Sequence, residues 1–144
     1  MTLEFDDFNS LHRLKARYGR FVDCKEWDGL RDLLTADMRY YADSLTGPPA
    51  TDPTTTGREE FVHRVAERFA GALTVHHSHT PDLEITGDRT ATGVWAMSDY
   101  VTGAIGDRGW RGYGFYHEEY QRCDDGTWRI RVLRLTRIRM DSLD

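Results

Sequence analysis

Cysteine is scarce in this chain, with only Cys24 and Cys123 among 144 residues. They stand far apart and form no CxxC pair, which excludes a disulfide framework and a structural zinc site; free thiols in a reducing cytosol are expected. Proline is also sparse, and three of the four prolines fall within Ser44–Thr56. No apolar run approaches the roughly 20 residues needed to span a membrane. The first residues carry Glu4, Asp6 and Asp7 and no apolar stretch, so no signal peptide is expected and a cytoplasmic location follows. An excess of positive charge is missing too: the net charge of −5 argues against a general nucleic-acid role. Five arginines near the end (Arg129, Arg131, Arg134, Arg137 and Arg139) mostly alternate along a strand pattern, which predicts a solvated face. Glycine-rich phosphate loops and a GxSxG elbow are absent.

What the chain does have is aromatic side chains, with four Trp, seven Tyr and six Phe, and a length suited to one domain, residues 1–144, with one core. Phe8, Leu11, Leu14, Tyr18, Phe21 and Val22 recur at helical spacing, with Asp6 or Asp7 as N-cap and an end near Asp23–Lys25. A short helix follows with Trp27, Leu30 and Leu34 on one face, then a strand over Asp37–Ala42. Ser44–Thr56 reads as a loop, long enough to be a lid or a disordered segment rather than a simple connector. A Thr56-x-x-Glu59 capping box is predicted to open a third helix, with Phe61, Val65 and Phe69 as its stripe. After Gly71 the pattern turns to strands, predicted over Thr74–Thr86, Thr90–Gly103, Trp110–Cys123 and Thr127–Ile138. Gly112 and Gly114, inside the third of these, mark a bulge or bend. Helices followed by a run of long strands predict an α+β fold, a cone in which helices pack on a curved, largely antiparallel sheet and enclose a small-molecule pocket.

Four residues carry the candidate chemistry. Alternation puts Trp95, Met97 and Asp99 on one strand face, and a carboxylate in that company needs a partner. The histidine cluster His76, His77 and His79 on the preceding strand offers one, so a His76–Asp99 dyad is the expected acid–base unit, with His77 and His79 on the opposite face. Asp23 stands at the negative end of a helix dipole, where a carboxylate is disfavoured. It is either a turn residue in solvent or a buried proton donor. Tyr18 lies on the apolar stripe, as a core tyrosine or as a phenol directed into the pocket. Trp95, Tyr100, Trp110, Tyr113, Phe115 and Tyr116 are candidates for the pocket wall. Three histidines in four residues invite a metal, but alternation splits them between faces and no second ligand cluster exists, so neither metal nor cofactor is expected. His117-Glu118-Glu119 is not an HExxH pair.

The run RYGRFVDCKEWDGL (Arg17–Leu30), the segment HHSHTPDLEITGDRTATGVWAMSDY (His76–Tyr100) and the closing DGTWRIRVLRLTRIR (Asp125–Arg139) resemble the SnoaL-like family of the nuclear-transport-factor-two-like superfamily. The first is similar to the corresponding helix of scytalone dehydratase and, more closely, of bile-acid 7α-dehydratase, and the second is similar to bile-acid 7α-dehydratase. That resemblance implies cofactor-free elimination of water from a hydrophobic, oxygenated polycyclic or polyketide-type small molecule. His76, oriented by Asp99, would remove the proton, Tyr18 would hydrogen-bond a substrate oxygen, and Asp23 would hold or protonate the departing hydroxyl. It also implies a homodimer or higher homo-oligomer. A polyketide cyclase or isomerase and a non-catalytic ligand-binding module of the same fold are the alternatives.

Overall fold

The computed structural model describes residues 2–143, with side chains over residues 4–143. The elements run α1 (Thr2–Asp23), α2 (Trp27–Asp32), β1 (Leu34–Ala42), β2 (Thr55–Thr56), α3 (Arg58–Phe69), β3 (Leu73–Gly87), β4 (Thr90–Thr102), β5 (Trp110–Arg122) and β6 (Trp128–Ser142). The sheet order is β2-β1-β6-β5-β4-β3. Only the β1–β6 pairing is parallel; the others are antiparallel. The result is the expected α+β cone, an unclosed curved sheet with the helices gathered on its concave face.

Strict alternation builds that face. Along β4 the odd-numbered residues from Ala91 to Val101 are buried and the even-numbered ones are not. Leu11, Leu14, Tyr18 and Val22 of α1 close over Trp95, Met97, Tyr116 and Leu133 in the main core, and Ala72, Val101, Ala104 and Trp110 form a second, smaller cluster. Complete burial of side chains of this size stabilises by roughly 1.5–3 kcal/mol each, which fixes α1 on the sheet. No described helix is long and apolar enough to cross a membrane.

Three local expectations are corrected. The first helix starts at Thr2, so Asp6 and Asp7 lie inside it; Asp7 pairs with Arg122 and accepts the Trp128 indole N–H at 3.1 Å. The N-cap of α3 is Gly57 at φ 89°, with no side-chain capping bond, and Glu59 instead meets Arg31 and Arg58. Leu34 starts β1 rather than extending α2, because it pairs with Ile130 of β6 and is fully buried there.

Candidate active site

A cavity of about 710 Å³ opens between the concave sheet face and the helices α1 and α3. Its apolar wall includes Val22, Phe61, Val65, Phe69, Trp110 and Leu135, and its polar groups include Tyr18, Tyr40, His76, Asp99, Tyr116 and Arg137. Leu45, Thr54 and Thr55, from the proline-bearing loop and its end, also line it.

At its inner edge the end of α1 meets the start of β3. Thr74 and His76 share a strand face, two residues apart, and Asp23 accepts hydrogen bonds from both. Thr74 Oγ1 donates to Oδ1 at 2.8 Å, the His76 backbone N–H donates to Oδ2 at 2.8 Å, and His76 Nδ1 lies 2.7 Å from Oδ1. The close approach is secured behind the carboxylate. Lys25 adopts a left-handed φ of 57°, ends the helix, and donates from Nζ to Ala72 O at 2.6 Å. A carboxylate at the negative end of a helix dipole is thus compensated by three local donors. Because Asp23 is an acceptor, Nδ1 carries the imidazole proton. Nε2 has no hydrogen-bond partner among the described residues and is the ring nitrogen left for a ligand.

This corrects the expected His76–Asp99 dyad. The two residues are register neighbours across β3 and β4, but the carboxylate of Asp99 turns to β6. Arg137 holds it through two bonds of 2.8 Å, Nη1 to Oδ1 and Nη2 to Oδ2, and the Trp110 indole N–H adds a third at 3.2 Å. A planar guanidinium matches both carboxylate oxygens at once, which one imidazole nitrogen cannot do. Burial would raise the Asp99 carboxyl, but the bonds and charge of Arg137, with Trp110 and His76, outweigh it and hold the group below its ordinary value. Gly112 is the register partner of Asp99, and a Cβ there would overlap both the Asp99 carboxylate and Arg137 Nη1. The glycine leaves room for the ion pair. Gly114 does mark a bulge, at the Tyr113/Gly114 register shift.

Tyr18 lines the cavity, as does Tyr40, which the sequence reading did not single out. Burial, reinforced by neighbouring Tyr40, Glu118 and Asp23, keeps the Tyr18 phenol protonated well above its usual range. Burial likewise raises Tyr40, with Arg137 and Arg68 opposing. Of the expected wall residues, Trp110 and Tyr116 line the cavity. Trp95 lies in the core instead and donates to the Tyr120 hydroxyl at 2.8 Å. Tyr100, Tyr113 and Phe115 alternate onto the outer sheet face and do not touch the cavity. His77 and His79 are exposed, and among the described residues no group of three His, Cys, Asp or Glu is arranged to hold a metal ion.

Arg137 was placed with the solvated arginines, yet its side chain is only 10 % exposed. The available signal was its spacing, since Leu133, Leu135 and Arg137 alternate onto one face of β6. Lys15 and Glu118 also escaped notice, although they are only 2 % and 3 % exposed. A lysine and a glutamate distant in sequence give no sign that they will meet.

The profile of the SnoaL-like domain matches residues 4–134. The chain belongs to the SnoaL-like family. Solved structures with this fold include a putative scytalone dehydratase from Novosphingobium aromaticivorans, at 16 % identity and TM-score 0.80, covering 100 % of this chain and 93 % of that one. The Kfla4162 protein of Kribbella flavida is 24 % identical with TM-score 0.82, over 96 % of this chain and 95 % of its own. A type 2 hexachlorocyclohexane dehydrochlorinase (LinA) is 15 % identical with TM-score 0.81, over 98 % and 91 % respectively. At these identities the likeness establishes the shared fold. This SnoaL-like chain therefore sets its Asp23–His76 pair in a scaffold that also serves proteins named for eliminations.

Proposed function

We propose that this SnoaL-like protein is an acid–base lyase that removes water from a hydrophobic, oxygenated polycyclic or polyketide-type molecule. The observation that carries the reading is the 2.7 Å contact between Asp23 Oδ1 and His76 Nδ1, which leaves Nε2 without a protein partner among the described residues, in a residue that lines a largely apolar cavity. Nε2 takes a proton from the carbon next to a substrate carbonyl. The C–H electron pair becomes the new C=C bond, the C–O bond to the β-hydroxyl breaks, and the departing oxygen recovers the proton from Nε2 to leave as water. Asp23 fixes the tautomer and stabilises the imidazolium during the interval. Because Asp23 accepts from three donors, one of them the imidazole, its role is orientation of His76 rather than protonation of the leaving group.

The phenols of Tyr18 and Tyr40, kept protonated by burial, donate to the substrate oxygen on which enolate charge develops. Arg137 adds positive potential on the cavity wall, already balanced by Asp99. Two proteins of the same fold, a putative scytalone dehydratase and a dehydrochlorinase, support elimination as the reaction type.

The test uses a bicyclic β-hydroxy ketone, 3-hydroxy-1-tetralone, whose loss of water yields a naphthol with a distinct absorbance. Wild-type protein is expected to accelerate the loss, and His76→Ala is expected to lower kcat/KM by about 10²–10⁴-fold with unchanged circular dichroism. Conversion to an isomer of unchanged mass would instead indicate a cyclase or isomerase. Equal rates in wild type and His76→Ala would remove the dyad from the reaction.

A further inference from the structure

Directly behind the cavity lies an ion pair that the proposed reaction does not use. Lys15 sits one turn before Tyr18 on α1, and Glu118 sits two residues after Tyr116 on the same face of β5. Lys15 Nζ pairs with Glu118 Oε1, and the Tyr120 hydroxyl donates to Oε2. Trp95 Nε1 donates in turn to Tyr120 at 2.8 Å, so the chain of polar contacts is anchored deep in the core. The remaining sides of the ammonium face two aromatic rings, with Nζ 3.6 Å from the Tyr116 centroid and 4.3 Å from that of Tyr18. The two rings meet edge to face, with centroids 6.1 Å apart.

A buried ion pair is a poor source of stability, because apolar residues of similar size usually serve as well or better. This pair therefore needs another account. The Tyr18 and Tyr116 hydroxyls have no hydrogen-bond partner among the described residues, so no bond at the oxygen fixes either ring. The ammonium lies over both rings, and a desolvated cation over an aromatic face attracts it through the ring quadrupole.

We infer that Lys15, held by Glu118, is a positioning residue that locks the rings of Tyr18 and Tyr116 and so aims their hydroxyls into the cavity. The inference deepens the elimination reading and rests on it for its effect on turnover; the state of the rings is measurable without any substrate.

The test compares wild type with Lys15→Met/Glu118→Met, which removes both charges at similar volume, and with Glu118→Gln, which keeps the shape of the acceptor. Ring ¹³C-labelled tyrosine, assigned with Tyr18→Phe and Tyr116→Phe, reports ring order by NMR. The expected result is a folded protein in which the Tyr18 and Tyr116 signals shift and broaden while other tyrosines hold. With 3-hydroxy-1-tetralone, kcat is expected to fall about 10- to 100-fold with KM little changed, as for a misplaced group. If the double variant fails to fold, Glu118→Gln carries the same measurements. Unchanged ring signals in either folded variant overturn the inference and leave the pair a structural one. So does a shift in unfolding midpoint with kcat intact. If wild type dehydrates no hydroxy ketone, the elimination reading fails by itself, and the ring signals still decide the positioning role.

Discussion

Asp23, at the end of a helix, and Asp99, the register neighbour of His76 across a strand pair, are neutralised in different ways. Asp99 is bound by a permanent cation, with its side chain 3 % exposed and that of Arg137 10 %. Asp23 is more open, at 22 %, and is held by a hydroxyl, a backbone amide and an imidazole. A carboxylate already matched by a guanidinium has little left to offer a second cation. A carboxylate held mainly by neutral donors gains when the imidazole beside it becomes charged. Of two acids near one histidine, only Asp23 is hydrogen-bonded to its ring. The other organises the cavity wall.

The largest expected effect separates the two through stability. Asp99→Ala leaves Arg137 buried without its partner and is expected to cost about 3–5 kcal/mol in urea unfolding, whereas Asp99→Leu/Arg137→Leu costs far less. Equal losses in the single and double variants would show that the pair is not what the carboxylate supplies. Next comes Asp23→Asn, expected to lower kcat/KM by about 10²-fold or more while shifting the unfolding midpoint little. The amide presents an N–H where His76 needs an acceptor and so favours the wrong tautomer. Full activity in that variant would break the comparison. The smallest effect is on acid stability. The carboxyl of Asp99 is lower when folded than its ordinary value of 3.8. Its contribution is therefore complete above that value and is lost as pH falls below it toward the folded one. Asp99→Asn should flatten the fall of unfolding free energy below about pH 4; an unchanged slope would mean that Asp99 is not held low.

Much of the fold was legible in the sequence. The helical spacing of α1 and the alternation of β4 were strong, because each buries one face in the hydrophobic interior. The element ends were less so. Thr56-x-x-Glu59 matched a capping pattern, but Glu59 turned instead to Arg31 of α2 and to its own chain neighbour Arg58. The site was half legible. Tyr18, Asp23, His76 and Asp99 were all singled out, and all four lie at or beside the cavity. Their pairing was assigned wrongly, because strand register predicts neighbours and not the direction in which a carboxylate turns. The wall residues Tyr100, Tyr113 and Phe115 were misplaced for a plainer reason: an aromatic-rich strand has two faces, and composition does not say which one is inside.

The sequence alone determined what is periodic or local: the helix and strand types, the α+β class, the misplaced acid at the end of the first helix and the histidine cluster on a strand. Tertiary structure alone decided which acid serves His76, that Arg137 belongs to the cavity and not to solvent, and that Lys15 meets Glu118 beneath two tyrosines. These contacts join residues 38 to 103 positions apart. Charge and hydrogen bonding at such separations depend on distances of a few ångströms, which only the packed chain defines.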